Sequence, residues 1–131
     1  MDLRILEIAS DTENNKILSN PTHSSKNKNP ICGDEMEISL IVKNDFIKDI
    51  GYRCKSCVYC QASVSLLSRK IKNKKIDEIK LFINGAEKMF DDVKSSLNKH
   101  WNDFIEILNK ENISRKDCLL LPLRTVLKAL K

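Results

Sequence analysis

From Met36 the chain alternates, with Met36, Ile38, Leu40 and Val42 on one side and Glu37, Ser39 and Ile41 on the other. A period of two is the signature of a half-buried strand. Lys43-Asn44-Asp45 interrupts it as a turn, and a second strand follows from Phe46 to Arg53, with Phe46, Ile50 and Tyr52 on one side. The pair predicts an antiparallel hairpin that hands the chain directly to residue 54. Beyond that point the period lengthens. Val64, Leu67 and Ile71 form one helical stripe, with Val58, Ala62, Ser65 and Arg69 beside it. Ile76, Ile79, Ile83, Ala86 and Phe90 form a second amphipathic face, despite Gly85. Val93, Leu97, Trp101, Phe104 and Leu108 repeat the pattern. Leu123, Val126, Leu127 and Leu130 close the chain on a last helix, with Pro122 expected in its first turn. Upstream, residues 2–9 suit a short helix carrying Leu3, Ile5, Leu6 and Ile8. Residues 10–30 are polar, with Pro21 and Pro30, and read as loop with an edge strand around 22–28. Strands first and helices after predict an α+β layer arrangement in one domain, residues 1–131.

Composition changes this picture little. Apolar residues at 41% and charged residues at 31% describe a globular chain without a disorder signature. Asp2, Arg4 and Glu7 break any apolar core of a leader peptide, and no apolar run approaches the ~18 residues of a membrane span. The expected setting is the cytoplasm, with no membrane partner. The net charge of +5 raises nucleic acid as a partner, but the lysines are interleaved with Asp and Glu. Aromatic residues are only 5%, too few for a stacking platform. No nucleic-acid partner is therefore expected.

The candidate chemistry lies in five cysteines, three of them crowded into GYRCKSCVYC as Cys54, Cys57 and Cys60. In a reducing compartment such cysteines are more often metal ligands or catalytic groups than disulfides, and an odd count cannot pair fully. Cys32, Cys57 and Cys118 each fall at a junction between a loop and a regular element, where distant segments converge. A helix start there favours the thiolate that binds metal or attacks sulfur. Gly33 permits a tight bend between Cys32 and Asp34. Spacing alone leaves the chemistry open. A structural zinc site wants two paired motifs, and only one Cys-x-x-Cys-x-x-Cys run is present. A ferredoxin run wants a fourth Cys and a Pro, where Gln61-Ala62-Ser63-Val64 stands. A redox pair wants a βαβ context that this order of elements does not supply.

Three segments together resemble the U-type iron–sulfur cluster scaffold family, which comprises IscU, SufU and the N-terminal domain of NifU. NPICGDE is similar to the family's N-P-x-C-G-D, SCVYCQASVSLL to its G-C-x-x-x-x-A-S-x-S, and RKDCLLLPLRTVLKAL to its R-x-x-C-x-x-L-P. The spacing between Cys57 and Cys118 resembles the longer SufU-like form. The resemblance implies a three-stranded antiparallel sheet with four to five helices packed on it. It further implies that Cys32, Asp34, Cys57 and Cys118 bind a transient 2Fe-2S cluster or zinc, with Cys32 or Cys118 accepting persulfide sulfur from a cysteine desulfurase. Recipient apo iron–sulfur proteins are the other implied partners, and the chain is expected as a monomer or homodimer. No turnover of a small substrate is expected, since no acid/base dyad or phosphate loop is present, although sulfur transfer itself is a candidate activity.

Departures from the family pattern bear on the site. Asp117 stands before the third cysteine, where relatives carry His or Lys, and is read as an alternative oxygen ligand or a solvent-facing carboxylate. Ser56 replaces the usual Gly, and Leu123 the usual Trp. Cys60, one helical turn beyond Cys57, is a candidate further ligand or resolving thiol, or else a small buried helix residue. Cys54 is read as a strand-end residue on the Tyr52 face. His23 and His100 are read as non-ligands, and Arg115 as a candidate to lower the pKa of Cys118. Two rival functions remain open: a zinc-binding sulfurtransferase or docking partner without a cluster, and a thiol redox protein using Cys57 and Cys60.

Overall fold

The computed structural model describes residues 3–30, 33–91 and 99–131. A short helix, α1 (Leu3–Ala9), precedes three strands, β1 (His23–Lys28), β2 (Glu35–Lys43) and β3 (Phe46–Lys55). Helices α2 (Val58–Ile71), α3 (Ile76–Ala86) and α4 (Lys116–Ala129) follow. Tighter 3₁₀ segments, Glu87–Asp91, Lys99–Glu106 and Lys110–Arg115, connect α3 to α4. The sheet runs β1-β2-β3, antiparallel throughout. This is the expected α+β arrangement.

The hairpin turns on Asn44 and Asp45, at φ 55° and 66°. Two successive left-handed residues match the twist of the flanking strands, and Asn and Asp are the side chains that tolerate them best. One detail of the β3 pattern differs from expectation. Ile41 pairs with Asp49 but Val42 with Ile47, so Lys48 is an extra residue on β3. A bulge inverts the alternation beyond it. Ile47 therefore joins Ile50 and Tyr52 in the core, and Phe46 is left half-buried between the Lys48 and Lys75 ammonium groups.

The inner face of the sheet packs on α2 and α4. Helix α2 is buried without interruption from Ala62 to Ser68, which includes three serines. Each serine hydroxyl donates to a carbonyl: Ser63 to Leu119 at 2.6 Å, Ser65 to Asp11 at 2.7 Å and Ser68 to Ser65 at 2.8 Å. These bonds satisfy the buried hydroxyls, and the first two tie α2 to distant segments. In α1 the buried side is Ile5 and Ile8, while Leu3 and Leu6 are exposed. Of the third expected helix, Val93 and Leu97 lie outside the described residues. Trp101, Phe104 and Leu108 are buried as expected, the first two on a 3₁₀ segment and Leu108 just beyond it. The last helix begins earlier than expected. Pro122 lies in the interior of α4, not in its first turn, because Lys116 and Asp117 already continue the chain into helix.

At Gly51 another stretch of backbone comes close: a Cβ placed there would clash with the Lys16 carbonyl oxygen. Gly51→Ala is expected to destabilise by about 1–3 kcal/mol, since backbone must move to admit the methyl. Chemical denaturation checks it, and Gly85→Ala is the contrast, because a Cβ there meets nothing within 4 Å.

Candidate metal and sulfur site

Three elements deliver the candidate ligands to one place. The β1–β2 loop closes on itself, with the Asn29 N–H donating to the Asp34 carbonyl and the Gly33 N–H to the Asn29 carbonyl, each at 2.8 Å. Gly33, at φ 78°, supplies the left-handed residue that this closure requires. Asp34 is thereby held at the mouth of β2. Cys57 sits at the N-cap position of α2, with extended backbone and no capping bond from its own thiol. Its backbone N–H donates to Asp34 Oδ1 at 3.2 Å. Cys118 is the third residue of α4, inside the helix and not before it as expected. The Ser63–Leu119 bond fixes the start of α4 against α2.

The Sγ atoms of Cys57 and Cys118 and a carboxylate oxygen of Asp34 all lie within 4.8 Å of one another. Tetrahedral sulfur ligands around a metal lie roughly 3.8 Å apart, so closing the trio asks for side-chain adjustment rather than backbone movement. Asp34 is 7% exposed, and its Oδ2 has no hydrogen-bond partner among the described residues. A buried carboxylate oxygen with no donor is costly unless a cation completes it. Two thiols with one such oxygen form a donor set that suits zinc or iron. Cys118 is buried and Cys57 half-buried, so the trio opens toward solvent on the Cys57 side. The positive end of the α2 dipole faces it. Cys32 lies outside the described residues. None of Cys54, Cys57, Cys60 and Cys118 is in a disulfide.

The remaining candidates have other surroundings. Asp117 is exposed, and its Oδ1 accepts from Arg124 Nη1 at 3.3 Å, while Nη2 of the same guanidinium donates to Glu87 at 2.8 Å. Neither Asp117 nor Cys60 is part of the trio. The Arg115 guanidinium lies 5.3 Å from the centre of the Tyr59 ring, bridging the starts of α2 and α4. His23 pairs with Thr22 Oγ1, five residues along β1 from the site end, and His100 Nε2 meets the Lys70 carbonyl. What the sequence did not signal is the support of the trio. The Asp34–Cys57 and Ser63–Leu119 bonds join residues 23 and 56 positions apart, and no local pattern marks such pairs.

Cys60 is fully buried, and burial pushes its thiol well above the ordinary thiol range. Burial likewise raises Cys54, and pushes the buried Tyr52 hydroxyl up to about 12. A raised folded-state pKa means that the folded chain holds a proton the unfolded chain has lost, so stability falls as pH rises. These groups leave stability level below pH ~8.5; above it Cys60 lowers stability by about 1.4 kcal/mol per pH unit, Cys54 adds to the fall, and Tyr52 joins from pH ~10 to about 12. Denaturation midpoints between pH 7 and 11 check this, and Cys60→Ala with Tyr52→Phe should flatten the fall. By the same burial Cys60 should be the slowest of the three clustered thiols to alkylate.

Comparison with known proteins follows the same lines. A profile of the NifU-like N-terminal domain matches residues 4–107. The chain belongs to that family. Among NifU-like relatives, an iron–sulfur cluster assembly scaffold protein IscU from Thermotoga maritima is 32% identical over 127 residues, covering 97% of this chain and 89% of the relative. A solved NifU-like domain from Brucella abortus superposes with a TM-score of 0.88 at 21% identity, covering 98% of this chain and 90% of that one, which shows the shared fold. A SufU-type scaffold protein from Fervidobacterium islandicum superposes with a TM-score of 0.87 at 25% identity, covering 100% and 96%. The NifU-like match ends before α4; Cys118, a ligand candidate from its own sequence segment, is brought beside Asp34 and Cys57 by the fold.

Proposed function

We infer that the chain is an iron–sulfur cluster assembly scaffold of the IscU/SufU type, with Cys32, Asp34, Cys57 and Cys118 as the residues that hold its cargo. The supporting observation is the convergence of Asp34, Cys57 and Cys118 within 4.8 Å, with Asp34 Oδ2 lacking a donor among the described residues. Thiolates bind soft or borderline metals firmly, and a single harder oxygen leaves one position easier to exchange. A scaffold needs both properties, because it must release the cluster to recipient apo iron–sulfur proteins.

Sulfur arrives from a cysteine desulfurase. The thiolate of Cys32 or Cys118 attacks the terminal sulfur of the desulfurase persulfide, a new S–S bond forms, and the desulfurase thiolate departs. Reduction of that sulfur to sulfide takes two electrons from an external reductant. The working compartment is the cytoplasm, where these thiols stay reduced. Within the described residues no helix is long and apolar enough to cross a membrane. Cys60, buried behind Cys57, is assigned a packing role.

Anaerobic reconstitution with iron, cysteine and a cysteine desulfurase tests the reading. A sulfide-to-iron absorption band with iron and sulfide retained through gel filtration is expected. The same donor set also suits zinc. Tight zinc binding with no band would move the assignment to a zinc-dependent sulfurtransferase or docking partner of the desulfurase.

A further inference from the structure

We propose that the solvent face of the sheet, at the end nearest the cysteines, is a docking groove for an extended acidic segment of a partner protein. This rests on a different surface from the metal site and does not depend on the scaffold reading.

The groove has a volume of about 530 Å³ and carries Lys26, Lys28, Glu35, Glu37, Arg53, Lys55 and Lys128. Strand register arranges six of these in two cross-strand rows, Lys26–Glu37–Arg53 and Lys28–Glu35–Lys55. The two central glutamates are loosely engaged from one side only, by Lys26 at 3.9 Å and Lys28 at 4.0 Å. Arg53 and Lys55 are exposed, and neither has a carboxylate within 4.0 Å among the described residues. Lys128 reaches over from α4 and donates to the Lys26 carbonyl at 2.8 Å. Five cations against two anions leave a local charge of +3.

Spacing selects the occupant. Arg53 and Lys55 lie two positions apart on one strand face, roughly 6.7 Å along it. An extended peptide presents its alternate side chains at the same interval, so acidic residues at every second position fall on successive cations. Nucleic acid fits less well. The two glutamates interrupt any phosphate track, and among the described residues no aromatic side chain lines the groove for a base to stack on. Glu35 adjoins Asp34 and Lys55 lies two residues before Cys57, so the groove ends next to the segments that carry the trio.

The probe is a fluorescein-labelled peptide of four Glu-Ser repeats, titrated by fluorescence anisotropy at low salt against the full chain, where the screening length is long. Binding should weaken at least tenfold in Arg53→Glu/Lys55→Glu. It should stay within twofold in Lys43→Glu/Lys48→Glu, which makes the same change in net charge at the far end of the hairpin. Amide shifts in the wild-type chain should concentrate at residues 26–28, 35–37 and 53–55, a readout independent of any variant's folding. Equal loss in both double variants would mean net charge alone, and would overturn the proposal. So would tighter binding of an oligothymidylate of equal charge, or amide shifts confined to other surfaces.

Discussion

Cys118→Ser should leave the protein folded and unable to retain iron and sulfide. The exchange of sulfur for oxygen is nearly isosteric, and the position is 5% exposed inside α4, so packing changes little. The ligand set changes a great deal. Structural zinc sites of four ligands are worth ~10–16 kcal/mol, roughly 3–4 kcal/mol for each ligand, and hence about two to three orders of magnitude in affinity. Competition with a chromophoric zinc chelator measures this directly, and reconstitution with iron and sulfide reads the same loss as an absent absorption band. Cys57→Ser should behave alike. Cys60→Ser should bind as the parent does, because Cys60 lies outside the trio that converges within 4.8 Å. Full retention in Cys118→Ser together with loss in Cys60→Ser would transfer the site to the local Cys57–Cys60 pair, and with it the function to thiol redox chemistry.

Phe104→Ala should cost roughly 3–5 kcal/mol, the range for emptying a buried aromatic site. Phe104 is fully buried, and its ring lies 4.8 Å from that of Phe82, which is itself stacked on Trp101 at 4.3 Å with planes 6° apart. This aromatic group pins the 3₁₀ segment Lys99–Glu106 to α3, while the segment's polar ties, Lys70 to Asp103 and Arg4 to Glu106, run to partly exposed side chains. Short 3₁₀ runs have poor hydrogen-bond geometry and depend on packing. For a chain of 131 residues the loss corresponds to a fall in Tm of roughly 11–18 °C. Thermal circular dichroism checks it, with Leu81→Ala as the control, since Leu81 is 76% exposed and a surface change of that kind moves stability by less than ~0.5 kcal/mol. Below its lowered Tm the variant should still bind one metal, because the trio is built at the start of α2 while the 3₁₀ segment meets that helix at Lys70, near its end.

Much of this molecule is legible in the sequence because the relevant physics is local. Alternation over residues 36–53 predicted the hairpin, since side chains on a strand have a period of two whatever the strand packs against. The stepping of Ile76, Ile79 and Ile83 predicted α3 for the corresponding reason. The three cysteine segments and Asp34 were recognisable as motifs, because binding a metal or sulfur restricts residue types tightly at a few positions. Where the reading failed, a longer-range effect prevailed. The extra residue at Lys48 exchanged Ile47 for Phe46 in the core, and nothing in the local pattern distinguishes a bulge from regular alternation. Pro122 was expected in the first turn of the last helix and instead lies within it, because the packing of α4 on α2 and the sheet outweighs one lost hydrogen bond.

Periodicity and motif were enough for the order of most elements, the α+β class and the identity of the candidate ligands. Which of those groups meet depends on packing. Asp34, Cys57 and Cys118 come from three separate elements, and their approach within 4.8 Å depends on a loop closed by Gly33 and on bonds between residues tens of positions apart. The same holds for Asp117, whose neighbour in sequence is a ligand candidate but whose carboxylate is engaged by Arg124. Convergence is a property of packing, and packing sums weak contacts over the whole core, which no single stretch of sequence contains.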